Sequence, residues 1–294
     1  MTTRLRSLLK ASGEYGVLAC LLALHVLCFS LPGRKAKLAS SNLMTNLARL
    51  ESLHQLGPQT TVLAGSSITG RLLEEYFSPQ LPIANLGLDG CGSLEAMQAL
   101  LAQPQRPAVV MIELNTFKPG LEKAYEQVRT AFQPRRAQAA QFLPFLRIDQ
   151  RPADLLYDFT RSFKQSDGQG GQIAWNDAIR ITAPIWKPQT RTAAEQAAEA
   201  AYLEAARAVI TRLHAEGCRM LFVLVPDALF TDPWHDRNFE RALDIAAPLG
   251  LPIFDLRRAT GVESLSWTDQ IHLTPAAART VAAFLETELL PQAR

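Results

Sequence analysis

Cysteine is scarce in this 294-residue sequence: four residues, at positions 20, 28, 91 and 218, with no CxxC pair and no clustering with histidine. That excludes a zinc site of ordinary ligand spacing and a disulfide framework. Cys91 and Cys218 could pair in an oxidising compartment, but Cys218 opens an apolar segment, the usual setting of a buried thiol. An excess of one charge is also lacking. Thirty Lys and Arg stand against 28 Asp and Glu, for a formal charge of +2 and no polybasic tract. This excludes a binder that tracks nucleic-acid phosphates. No internal repeat is visible, and no cofactor motif or metal-ligand cluster is expected. What is present in quantity is apolar: 48% hydrophobic residues against 20% charged. Such a mixture can bury a core and is unlike that of a disordered chain. The length fits one domain of roughly 200 to 250 residues with appendages, or two small domains.

One long apolar run exists, GVLACLLALHVLCFSLP over 16–32, with Arg4, Arg6 and Lys10 before it and Arg34, Lys35 and Lys37 after it. At 1.5 Å per residue a helix of this length reaches about 25 Å, the lower limit for crossing a bilayer. Residues 1–37 are therefore expected to form an uncleaved membrane anchor. A cleaved signal peptide is the alternative, with Ala36 and Ser40 placed for processing; an amphipathic anchor is disfavoured because the run has no polar face. Three basic residues on each side leave the orientation undecided. Leucines at 43, 47, 50, 53 and 56 mark a helix within 36–57, read as a connector spanning 38–58.

From residue 59 to the end, short apolar runs alternate with longer helical ones, the signature of a parallel sheet wrapped by helices. Strands are expected at 60–65, 82–87, 108–114, 219–225 and 251–256. Helices are expected at 93–103, 121–141, 193–216, 236–248 and 275–290. The period is lost between about 142 and 190, where GQGGQ and scattered aromatics suggest an insertion or lid.

In such a sheet, reactive groups collect at the carboxyl ends of the strands. Four polar segments fall there. Gly65-Ser66-Ser67-Ile68 follows the first strand and places a serine at the start of the next helix, as a nucleophile or as a helix cap. Asn85-Leu86-Gly87-Leu88-Asp89-Gly90-Cys91-Gly92 forms a glycine-rich turn whose N–H groups can face an anion, although its spacing is not that of a dinucleotide loop. Glu113-Leu114-Asn115-Thr116 ends the third strand, where an amide can serve as a donor or close a turn. Trp267-Thr268-Asp269-Gln270-Ile271-His272-Leu273 precedes the last helix. Its carboxylate, three residues before an imidazole, can orient that ring as a base, or form a simple capping pair. Of the other histidines, His25 lies in the membrane run, His54 and His214 on helical patterns, and His235 in a turn-like PWHD stretch, which makes it the best rival base. No GxSxG elbow occurs.

Taken in order, the four segments resemble the blocks of the SGNH (GDSL-like) hydrolase and acyltransferase superfamily, across most of the chain beyond the anchor. The resemblance implies a three-layer α/β/α, flavodoxin-like domain with a short parallel sheet of about five strands. It implies Ser67 as nucleophile, His272 as general base and Asp269 as its orienter. Gly90, Asn115 and the Ser67 N–H would then be the oxyanion donors. Two positions depart from the pattern: Ser66 stands where the family usually has Asp, and Glu113 where the third block usually has Gly. A carboxylate at 113 would oppose an oxyanion unless it is paired or turned away.

The Gly-Ser-Ser form is similar to that of membrane-anchored members that act on extracytoplasmic polymers, such as the alginate O-acetylation and teichoic-acid D-alanylation proteins. The expectation is therefore a serine esterase, deacetylase or O-acyltransferase without cofactor or metal, at the periplasmic face of a bacterial inner membrane. Its substrate would be a polysaccharide, with stacking by Trp175 and Trp186 or mere core packing by them, and its partner a polysaccharide synthesis or export complex. The alternative is a catalytically silent SGNH-like scaffold or carbohydrate-binding subunit of such a complex. A hydrolase of lipid acyl groups is a third reading.

Overall fold

A computed structural model of the chain describes residues 13, 15–17, 19–20, 22–23, 41–143, 146–151, 173–174, 192–227, 233–259, 261–269 and 271–293. Five parallel strands make the sheet: β1 (Thr61–Ser66), β2 (Ile83–Leu88), β3 (Val109–Glu113), β5 (Arg219–Leu224) and β6 (Ile253–Asp255), in the order β2-β1-β3-β5-β6. A separate antiparallel pair joins β4 (Ile173–Ala174) to β7 (Ser266–Trp267). Each sheet strand lies within a residue or two of its expected place. β1, β3 and β5 are buried over almost their whole length, as parallel strands covered on both faces must be.

Among the described residues from 41 onward, the α-helices are α1 (Asn42–Ser52), α2 (Ser93–Leu101), α3 (Glu122–Ala131), α4 (Pro134–Phe142), α5 (Ala193–Ala215), α6 (Pro233–Ala246) and α7 (Pro275–Phe284). Because side chains alternate along a strand, the sheet carries a core on each face. One core packs Val62, Leu86, Val110 and Phe222 against residues of α1, α2, α5 and α6. The other packs Leu63, Met111, Leu221 and Val223 against Trp267 and the Ala277–Ala278–Val281 face of α7. At about 1.5–3 kcal/mol for each fully buried large apolar side chain, these two cores supply the main drive for folding.

The single helix expected over 121–141 is two, since Pro134 cannot continue the helix begun by Glu122 and instead opens α4 at its first turn. The helix expected directly after Ser67 is only a 3-10 turn, Thr69–Arg71. Asn85 intercepts its carbonyls: the side-chain amide donates to Thr69 O at 3.0 Å and Leu72 O at 2.7 Å, so the chain turns away instead of continuing. The stretch read as a connector is built into the domain, with Leu47, Leu50, Leu53 and Leu56 all buried in the first core.

Most of residues 16–32, and of the insertion at 142–190 with Trp175 and Trp186, lie outside the described residues. Among the described residues no helix is long and apolar enough to cross a membrane. The described residues between 13 and 23 are helical, and Val17 and Leu22 are exposed.

Candidate active site

β1 delivers Ser67 to the carboxyl end of the sheet. From Thr60 to Gly70 every residue is buried except Ser67, which is half-buried in the turn after β1. Its Oγ lies 2.8 Å from Nε2 of His272, a residue 205 positions away in sequence. The other ring nitrogen, Nδ1, lies 2.7 Å from Asp269 Oδ2. Serine, histidine and aspartate thus form one hydrogen-bonded line, within the reach that proton transfer requires.

The second half of that line is a local structure. Asp269 Oδ1 accepts from the Ile271 N–H at 2.8 Å and the His272 N–H at 2.7 Å, leaving Oδ2 for the imidazole. This is an Asx turn, available to any Asp with the right residues behind it. Its base is closed by Thr268 N–H donating to His272 O at 2.8 Å and by a bridge between the buried Trp267 and Leu273. Burial works against ionising Asp269, but the hydrogen bonds from the imidazole and the two N–H groups outweigh it and hold the carboxyl below its ordinary range. The side chain of Asp269 is 54% exposed, that of His272 18%. The imidazole is therefore the better sheltered member of the pair.

Gly90 follows β2 at φ +75°, a left-handed conformation natural to glycine, and is exposed where the turn faces solvent. The loop before it is held from α1. Arg49 donates to Gly87 O and, at 3.0 Å, to Gly70 O, and pairs with Asp89 at 3.2 Å. These clamps tie the turn after β1 to the turn after β2. The sequence pattern marks α1 only as amphipathic, and nothing in its spacing identifies Arg49 as a support for the site.

Asn115 is aimed elsewhere. Its Nδ2 donates to Val225 O at 2.8 Å and Asp227 Oδ2 at 2.9 Å, and its Oδ1 accepts from the Val225 N–H at 2.9 Å. Both amide hydrogens are engaged toward β5, so service to an oxyanion requires the side chain to turn out of these bonds. His235, the rival base, is buried and lies 3.2 Å from Asp227. It belongs to this polar cluster, while Ser67 is served by His272.

Glu113, the conspicuous departure, is completely buried at the end of β3. Its carboxyl is neither exposed nor unpaired: Ser66, Thr69 and Thr116 all donate to it. Among the described residues there is no group of acidic, histidine and cysteine side chains able to hold a metal ion. Neither a scan against protein-family models nor a search of curated proteins finds a match for this chain.

Proposed function

We propose that this chain is an SGNH-type serine enzyme of ester chemistry, moving or removing acyl groups on an extracytoplasmic polysaccharide. The observation that carries the reading is the Ser67–His272–Asp269 line, 2.8 and 2.7 Å between its members, assembled from opposite ends of the domain at the carboxyl edge of a parallel sheet. In the first step His272 Nε2 accepts the Ser67 proton as Oγ attacks the ester carbonyl, while Asp269 steadies the charged ring. The N–H groups of Ser67 and Gly90 receive the developing oxyanion, with Asn115 as a third donor once it leaves Asp227. His272 then returns the proton to the departing alcohol. Water or a sugar hydroxyl, deprotonated by the same imidazole, then attacks the acyl carbonyl, and the imidazole returns that proton to Ser67 Oγ as the ester bond breaks.

The first 37 residues serve as the anchor in this reading, a role that suits the exposed Val17 and Leu22. The domain would stand at the outer face of a bacterial inner membrane, beside the machinery that makes or exports the polymer. The test is hydrolysis of p-nitrophenyl acetate by the full chain and by Ser67→Ala and His272→Ala variants. Turnover abolished in both is expected; turnover that survives Ser67→Ala overturns the assignment.

One observation favours the silent-scaffold reading, namely that both amide hydrogens of Asn115 are engaged elsewhere. That reading requires wild-type protein with no turnover and no labelling of Ser67 by a fluorophosphonate.

A further inference from the structure

The carboxyl of Glu113 accepts from five donors, and four of them flank the proposed nucleophile. Oε2 accepts from the Ser66 N–H at 2.9 Å, the Thr69 N–H at 3.0 Å and the Thr69 hydroxyl at 2.6 Å. Oε1 accepts from the Ser66 hydroxyl at 2.8 Å and the Thr116 hydroxyl at 3.1 Å. Ser66 Oγ in turn accepts from the Ile68 N–H at 3.2 Å. Residues 66, 68 and 69 are therefore all held, directly or through one hydroxyl, by a single side chain from β3. Ser67 lies between them, and its Oγ bonds to His272.

The surrounding sequence is shaped to this carboxyl. A Cβ at position 65 would lie 2.5 Å from Glu113 Oε2 and 2.7 Å from its Cβ, so glycine is what fits there. An Asp at position 66 would replace the Ser66 hydroxyl, which donates to Glu113 Oε1 at 2.8 Å, with a larger group whose oxygens only accept. Serine at 66 donates to Glu113, whereas Asp at 66 would crowd it without donating.

We propose that Glu113 is the positioning residue of the nucleophile turn, and that the two departures at 66 and 113 are one exchange, a carboxylate moved from the turn itself to the neighbouring strand. This rests on the ester chemistry proposed above. The group touches neither substrate nor the Ser67 hydroxyl. It acts by holding the backbone on both sides of Ser67, so that Oγ meets Nε2 and the Ser67 N–H faces the oxyanion. Displacements of about 1 Å in such a geometry lower rates about 100-fold without abolishing substrate binding.

The test compares the full chain with Ser67→Ala, Glu113→Gln, Ser66→Asp, Glu113→Gly and the double Ser66→Asp/Glu113→Gly variant, reading kcat and KM for p-nitrophenyl acetate together with Tm. Glu113→Gln keeps the shape but turns an amide NH2 toward groups that are themselves donors. A kcat loss of about 100-fold with KM changed less than twofold is expected. The double variant should recover kcat as well as Tm relative to either single one; a merely space-filling role recovers Tm and leaves kcat low.

Glu113→Gln with wild-type kcat overturns the positioning role and leaves the esterase reading standing. If Glu113→Gln fails to fold, the double variant decides: recovery of Tm and kcat supports the exchange, and a double variant no better than Ser66→Asp overturns it. Turnover that survives Ser67→Ala overturns the esterase reading and this proposal with it.

Discussion

The side chain of Asn46 closes on the main chain of Asp89 from both directions: its Nδ2 donates to Asp89 O at 2.9 Å, and its Oδ1 accepts from the Asp89 N–H at 2.7 Å. One amide therefore satisfies both polar groups of the residue that precedes Gly90, as a neighbouring strand would. Replacement by alanine leaves both groups without these partners in a half-buried loop, at about 1–3 kcal/mol. Asn46→Ala is thus expected to lower the urea midpoint and, by loosening Gly90, to reduce kcat. An unchanged midpoint would show that water replaces the clamp.

Two glycines of the same loop differ in why they are glycine. A Cβ on Gly87 would come within 2.6 Å of both Gly70 Cα and Ser66 O, main-chain atoms that cannot step aside. Gly87→Ala should lose at least about 3 kcal/mol or fail to fold. At Gly90 the nearest atom to an added Cβ is 3.9 Å away, and the penalty comes from φ +75° alone. Gly90→Ala should fold and lose only about 1–2 kcal/mol. Thermal unfolding of the two variants separates the causes; equal losses would refute the distinction.

Asp269→Asn tests the proposed orienter. An amide at 269 can offer an N–H to His272 Nδ1, which favours the tautomer carrying its proton on Nε2, unable to take the Ser67 proton. A fall in kcat of about 1,000- to 10,000-fold is expected, by analogy with buried triads. A loss under tenfold would mean that exposure makes this carboxylate dispensable.

The same carboxylate predicts a pH signature. Its pKa in the folded protein is below its ordinary value, so its ionisation favours folding at all pH values above the unfolded value of about 3.9 and ceases to do so as pH falls through the folded value. The Tm difference between wild type and Asp269→Asn should change as pH falls below about 4. A difference that stays the same on that acidification would refute the lowered carboxyl.

Cys91, beside the Gly90 turn, is buried, and burial followed by the nearby Glu95 and Asp89 pushes its thiol up to about 12. It should resist a thiol reagent at pH 8 in the native state and react after denaturation. Cys218, also buried and with its thiol pushed up by burial, should behave alike. Rapid native labelling of either would contradict its burial.

What could be read from the sequence was what a short window contains. The alternation of apolar runs and helical periods located β1, β2, β3, β5 and β6 to within a residue or two, because burial on both faces imposes a continuous apolar run on each strand. Asp269 and His272 were recognisable as a pair because their geometry is an Asx turn four residues long. Ser67 was marked by its place after the first strand. The break at Pro134 was legible in principle, and the helix period across 121–141 concealed it.

The tertiary structure decided everything that depends on which strands are neighbours. With β3 seated between β1 and β5, Glu113 faces the turn of Ser66 and Thr69 while Asn115 bonds to Val225 and Asp227, two directions from residues two apart. Neither direction has a sequence signature, since these hydrogen bonds span between 44 and 112 residues. The meeting of Ser67 with His272 belongs to the same class. The sequence by itself determined the order of the elements and the chemistry offered at each strand end, because propensity, period and turn geometry act locally. Only packing decided which of those groups meet, because a side chain's partner is chosen by the space that the whole sheet leaves for it.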